Sequence, residues 1–415
     1  LEKNALDNVS TLKWLSLANN SLESLPEFMF SNLSNLEYLS LAENNLKNLE
    51  YLFVRLEKLR VLNISCNPVL HLRRGHLFGL TKSTTILIEG NNLWSISTDL
   101  SNNEITEITK ELLNDLPEDL IYVNLRGNRI RCIWSQVIEN RHLKILNLSN
   151  NFLEKIEDGA LAKTNLTSLT FFENQLESLS FVSSLPSTLQ VLVLAKNRFS
   201  SIPGGIFVNL PNLIYLNLVN NQIERLQNGV FNGLDSLQIL IITKNRLVEI
   251  ERDAFNGLEN LKDLNLSSNK LQKITADMFA DLPQNLGYLH IDFNEINSLE
   301  KGSFVNVPRF TLSLTGNKIS TIPSGTFDLP TLRDLYLNNN TLTMIDGDSY
   351  EGLPQLKHLL LIENQINEIQ KGSCKNLASL SILNISRNPI QKLQNGALYG
   401  LSLDLCKNYN LISKY

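Results

Sequence analysis

The chain has 415 residues, with 37 Lys and Arg against 42 Asp and Glu, a net charge of −5 and a pI of about 5.7. A balance this even, with both signs interspersed, argues against nucleic acid or an anionic membrane surface as partner. No run of roughly 18 apolar residues occurs, so no segment reads as a transmembrane helix.

In chain order the first element is incomplete. LEKNALDNVSTL reads as the back half of a repeat, and the chain stops at LISKY without a polar cap. Stacked repeats need capping at both ends, and residue 1 opens no signal peptide. The expectation is a fragment, or the ordered part, of a longer protein. From Asn20 onward an asparagine returns every 23 to 25 residues inside the frame L-x-x-L-x-L-x-x-N-x-L, through Asn388 and less cleanly Asn408. Three clean copies are Leu213, Leu216, Leu218, Asn221, Ile223; Leu237, Leu240, Ile242, Asn245, Leu247; and Leu261, Leu264, Leu266, Asn269, Leu271. Self-similarity at this period is the signature of a leucine-rich-repeat solenoid. One coil cannot bury its own apolar face, so neighbours must stack.

Within a coil, L-x-x-L-x-L alternates as a short strand, leucines inward and x residues outward. The Asn carries a donor and an acceptor for turn groups that would otherwise be buried unpaired. A second apolar pair follows as F-x-x-L, at Phe30/Leu33, Phe207/Leu210, Phe231/Leu234, Phe255/Leu258 and Phe279/Leu282, and continues at Phe304/Val307, Tyr350/Leu353 and Leu398/Leu401. It predicts an aromatic spine on the convex side. The expected fold class is an α/β-type leucine-rich-repeat solenoid, a curved horseshoe with a parallel β-sheet on the concave face and irregular or short helical convex segments. Residues 1–415 would form a single domain of about eighteen coils, terminal caps absent.

Two joints break the period. Asn91 to Asn103 spans half a coil, and LWSISTDLSNNEI lacks the usual F-x-x-L. YGLSLDLCKN is about four residues short near 401–403. Either residues are missing near 97–101 and 401–403 or the solenoid is locally broken there; the first is the expectation, with no continuous coil between Ser97 and Ser101. Among the cysteines, Cys374 occupies a spine position and reads as a buried free thiol. Cys66 and Cys132 lie about three coils, roughly 14 Å, apart, too far for a disulfide. Cys406 has no partner within this sequence.

The 24-residue period, the F-x-x-L spine and the lead-ins SLPEFMF, SIPGGIF and TIPSGTF resemble the typical extracellular leucine-rich-repeat class of animals over nearly the full length. Toll-type ectodomains, chaoptin and connectin, and the acid-labile subunit of growth-factor complexes belong to that class. The resemblance implies an extracellular binding protein, secreted or a membrane-anchored ectodomain. The repeat physics alone implies only a binding surface.

Function is expected at the outward x positions, which on a water-facing sheet are normally polar. Ser16, Ser40, Asn63, Asn124, Asn147, Asn217, Asn265 and Asn384 conform. Phe172, Val191, Val193, Tyr215, Val219, Ile239 and Ile241 depart, and Tyr288, His290 and Phe293 extend the set. Tyr336, His358, Leu360 and Ile362 form a second group. An apolar patch of several hundred Å² usually marks a contact surface, rich in Tyr and Phe. The competing reading is strand propensity alone. Sequons at Asn8, Asn19, Asn32, Asn63, Asn147, Asn165, Asn265, Asn339 and Asn384 are glycosylation candidates. The composition produces several by chance, and four arise from the repeat text L-N-[IL]-S itself.

Catalysis finds no foothold. His290 and His358 lie about three coils apart, some 14 Å, too far to share a metal. His71 and His76 sit in a basic turn, HLRRGH, and no nucleophile, phosphate-loop or metal motif is present. The expectation is a non-enzymatic extracellular recognition protein without cofactor or metal, binding a protein or glycoprotein on its concave face. Two alternatives stay open. One is an innate-immune pattern-recognition receptor or a secreted binder of lipid or a small hydrophobic ligand. The other is a homophilic adhesion protein that forms homodimers.

Overall fold

The structure, a computed structural model, describes residues 5–6, 9–68, 80, 84–87, 105–108, 122–135, 137–305 and 308–401. They fall into two compact units, Leu1–Asn197 and Arg198–Tyr415. The joint at 97–101, residues 402–403 of the second joint, Cys406, His71, His76 and Asn8 lie outside the described residues.

Among the described residues the repeat period becomes sixteen three-residue strands, each preceding one of the repeat asparagines. In the first unit, Trp14–Ser16, Tyr38–Ser40, Val61–Asn63 and Thr85–Leu87 pair in that order, all parallel. Tyr122–Asn124, Ile145–Asn147, Ser168–Thr170 and Val191–Val193 do the same. In the second unit, Tyr215–Asn217, Ile239–Ile241, Asp263–Asn265 and Tyr288–His290 run on into Thr311–Ser313, Asp334–Tyr336, His358–Leu360 and Ile382–Asn384. The register is constant. Leu216, Leu240, Leu264, Leu289, Leu312, Leu335 and Leu359 sit opposite one another and are fully buried. This is a leucine-rich-repeat solenoid.

The asparagines stitch coil to coil. Asn245 Nδ2 donates to Leu218 O on the preceding coil at 2.9 Å and to Ile242 O on its own at 3.1 Å, while its Oδ1 accepts the Ile223 N–H at 3.0 Å. Asn269 repeats the pattern with Ile242 O, Leu266 O and the Leu247 N–H. Just before each such Asn the backbone turns left-handed, at φ +53 to +57° for Lys196, Asn220, Lys244, Ser268 and Phe293.

The spine is present in the second unit as stacked rings at Phe207, Phe231, Phe255, Phe279 and Phe304, with centroids 5.9–6.2 Å apart. Phe327, outside the F-x-x-L pattern, extends it at 5.8 Å. Strands are about 4.8 Å apart, so the back of each coil is wider than its front. The strand face of this unit is its concave side. Cys374 takes the spine position as a buried free thiol, its proton affinity pushed up by burial to about 11. Among the described residues the convex side carries two 3-10 helices, Ser180–Ser184 and Gly347–Tyr350, and pairs of two-residue strands such as Arg225–Leu226 with Glu249–Ile250.

Candidate functional site

The constant register sorts the outward positions into columns. In the second unit the first column reads Tyr215, Ile239, Asp263, Tyr288, Thr311, Asp334, His358, Ile382. The second reads Asn217, Ile241, Asn265, His290, Ser313, Tyr336, Leu360, Asn384. In the first unit the corresponding columns end in Tyr122, Ile145, Ser168, Val191 and in Asn124, Asn147, Thr170, Val193.

These columns differ in meaning. Residues such as Trp14, Tyr122, Ile145 and Ile382 show that the first column is widely apolar or aromatic, well outside the stretch from Phe172 to Ile241. Sequence reasoning passed over these four, although Trp14 is 64% exposed and lies flat on Tyr38, centroids 3.6 Å apart. Strand propensity accounts for much of this column. The second column is different. Asn63, Asn147, Asn217, Asn265 and Asn384 each accept, through Oδ1, the N–H two residues on at 3.0–3.1 Å. Asn is therefore part of the framework here, closing an Asx-turn at the strand end. Val193, Ile241, Tyr336 and Leu360 give up that bond for an apolar or aromatic side chain. This departure carries more information than exposure.

The expected site residues do not all behave alike. Val191 and Val193 are half-buried on the strand face of the first unit, and Tyr215, Ile239, Ile241 and His290 on that of the second; Val219 lies half-buried just beyond the Tyr215 strand. Tyr215 Oη accepts from Asn217 Nδ2 at 3.1 Å. Phe172 is not an open apolar contact, because Lys196 Nζ sits 4.8 Å from its ring centroid. Phe293 is not part of the strand alternation. It occupies the left-handed turn position at φ +53°, 58% exposed, with its ring against Gly316. Of the sequons, Asn19 and Asn339 take the same left-handed position and are exposed, as are Asn32 and Asn165 outside the strands. Asn63, Asn147, Asn265 and Asn384 are half-buried on the strand face.

Polar chemistry on the second unit concentrates around one strand. Thr311 and Ser313 point outward yet are only 7% and 4% exposed, because larger side chains stand on both flanking strands. Asp292 Oδ1 accepts from Ser313 Oγ and, at 2.8 Å, from the Thr315 N–H. Asp334 Oδ2 accepts from Thr311 Oγ1 at 3.2 Å, and its Oδ1 lies 2.6 Å from His358 Nδ1. Burial and the neighbouring Asp334 carboxylate raise the Tyr336 hydroxyl above its ordinary value. Tyr288 tilts against Phe310 at 5.9 Å, and Arg333 and Arg309 lie over that ring at 5.4 and 5.9 Å. Sequence reasoning missed Asp292, Ser313 and Asp334, which read as ordinary polar x residues. Among the described residues no three His, Cys, Asp or Glu side chains group so as to hold a metal ion.

Comparison with known proteins agrees with this class. A family model described as leucine rich repeat matches residues 10–57, 187–247, 235–284 and 310–366. Another, described as a BspA type leucine rich repeat region, matches 91–187. The chain belongs to the leucine-rich-repeat family. Human keratocan is 34% identical over 237 residues, 55% of this chain and 59% of keratocan, so the match spans under two thirds of that relative. A leucine-rich-repeat protein of Leptospira interrogans superposes with a TM-score of 0.59 at 24% identity, over 96% of this chain and 90% of its own. A chain of the Drosophila Toll–Spatzle complex gives 0.70 at 21% identity, over 94% of this chain and 49% of its own. At these identities the two structures speak for the fold alone.

Proposed function

We propose that this is a non-enzymatic extracellular recognition protein that binds another protein or glycoprotein on its strand face. The observation that supports the reading best is the second column, where Val193, Ile241, Tyr336 and Leu360 replace a framework Asn or a small hydroxyl residue. A side chain that abandons a turn-closing bond for exposed apolar surface costs the free chain stability, and a partner recovers about 25 cal/mol per Å² by covering it. The likeness to keratocan supports an extracellular recognition role, and the Toll–Spatzle complex is a case of the same fold in a complex between proteins.

The register supplies a sharp variant. Ile241→Asn installs the residue that both flanking strands carry, Asn217 and Asn265, and Val193→Asn the one found two strands away at Asn147, in each case with the turn bond. Combined with Tyr215→Ser, they should leave the melting temperature nearly unchanged and abolish partner binding. Retrieval of partners from the native extracellular fluid, wild type beside variant and quantified by mass spectrometry, tests this. Equal retrieval would end the proposal.

A further inference from the structure

We infer that the Thr311–Ser313 notch on the strand face of the second unit is the seat for an arginine side chain of the protein partner, held by Asp292 and stacked on Phe293. This rests on the strand-face recognition proposed above and names the chemistry of one contact within it.

Asp292 has a divided carboxylate. Oδ1 is fixed by two donors from the next coil, Ser313 Oγ and the Thr315 N–H. Oδ2 lies 4.0 Å from His290 Nδ1 and accepts no hydrogen bond among the described residues. The side chain is 17% exposed, enough to be reached and little enough to be incompletely hydrated. A charge oriented in advance with one open oxygen loses little freedom on binding a cation.

Phe293 supplies the second, independent observation. In other described coils the left-handed position before the repeat Asn holds Asn, Glu, Lys, Ser, Gly, Cys or Arg, as at Asn150, Glu173, Lys244, Ser268, Gly127, Cys66 and Arg387. A bulky aromatic residue is the poorest choice for that backbone, and this ring remains largely in water. Its place is prepared by the next coil, where a Cβ on Gly316 would stand 2.5 Å from the ring. Phe293 is one residue from Asp292, and its N–H donates at 2.7 Å to the carbonyl of Thr315, the residue whose N–H Asp292 accepts.

Charge selects the occupant. Asp263, Asp292 and Asp334 lie on or just beyond three of four successive strands, and the ionisable counter-charges within the columns are His290 and His358. The basic residues Arg309 and Arg333 stand at the strand entry, over Phe310. Arginine matches this pair of features better than lysine, because its planar guanidinium can bond a carboxylate through its edge and stack on a ring through its face.

The test uses two small probes, acetyl-Gly-Arg-Gly-amide and the same peptide with citrulline, which keeps the shape and removes the charge. Saturation-transfer NMR should show saturable binding of the arginine peptide to the protein and none of the citrulline peptide. Asp292→Asn keeps the Oδ1 acceptor for Ser313 and Thr315, so its melting temperature should match wild type while binding weakens about tenfold or more. Phe293→Asn, which installs the residue found at Asn220 and Asn339, should weaken it as well. The Val193/Tyr215/Ile241 variant should bind the probe as wild type does, so failure of the notch and failure of the wider face are told apart. Absent or unsaturable binding to wild type, equal binding of citrulline, or full binding by Asp292→Asn would each overturn the assignment.

Discussion

At the scale of single residues, the repeat Asn is a clear case of a polar group buried because it is satisfied. Asn245 and Asn269 each donate to two coils and accept from one. Replacing either by Ala leaves one interior N–H without its acceptor and removes one of two Asn donors from each of two carbonyls, which keep the bond from the Asn of an adjacent coil. We expect Asn245→Ala and Asn269→Ala each to cost about 1–3 kcal/mol, measured by urea unfolding; an unchanged midpoint in both would refute the stitching role. Asp263 illustrates the opposite balance. It stands between Ile239 and Tyr288 in the first column, and burial raises its carboxyl above its ordinary value while His290 pulls it down. A raised value in the fold favours the protonated form there. That contribution is complete below the unfolded value and lost as pH rises through the folded one. Asp263→Asn should therefore raise the melting temperature at pH 7 and leave it unchanged near pH 3. A gain of equal size at both values would remove the electrostatic explanation.

At the scale of elements, strands of three residues cannot stand alone, and the stacked coils hold each other. Leucines alternate inward on the strand side and the phenylalanine ladder fills the back. Phe255 is buried between Phe231 and Phe279, with centroids 6.1 and 6.2 Å away. Phe255→Ala opens a cavity facing two neighbours, with an expected loss of about 3–5 kcal/mol by denaturant unfolding. Phe255→Leu should cost well under half of that. If the two substitutions cost the same, volume in the spine is not what the ring provides. Both the leucine strand and the Phe ladder were legible in the sequence, because each rests on a fixed spacing within the repeat. Phe327 was not, since it comes to the ladder from a coil whose F-D-L-P text breaks the F-x-x-L spacing.

At the scale of the molecule, the two outward columns of a strand answer to different constraints. A stretch that merely contrasts apolar with polar x residues mixes two causes. The first column is apolar in much of the chain, as at Trp14, Tyr122, Ile145 and Ile382. The second is mostly Asn or a small hydroxyl residue, with Asn closing the turn, and departs from this at Val193, Ile241, His290, Tyr336 and Leu360. This is why the proposed binding variant places Asn at Val193 and Ile241. It also explains why the sequons at Asn63, Asn147, Asn265 and Asn384 carry two meanings, being both sugar-acceptor text and turn closure.

The sequence by itself determined the solenoid, its parallel register, the buried Asn and the free thiol at Cys374. Each follows from a spacing repeated many times, so local chemistry and stacking point the same way. Tertiary structure alone decided what the outward residues do. It covered the Phe172 ring with Lys196, moved Phe293 from the strand alternation into a left-handed turn over Gly316, and sank Thr311 and Ser313 between larger neighbours. It also gave Asp292 one bound and one open oxygen. These are contacts between residues more than 20 positions apart, set by side-chain size on adjacent coils. A repeat pattern fixes which residues are neighbours, but only the packed structure fixes which of them shield each other from water.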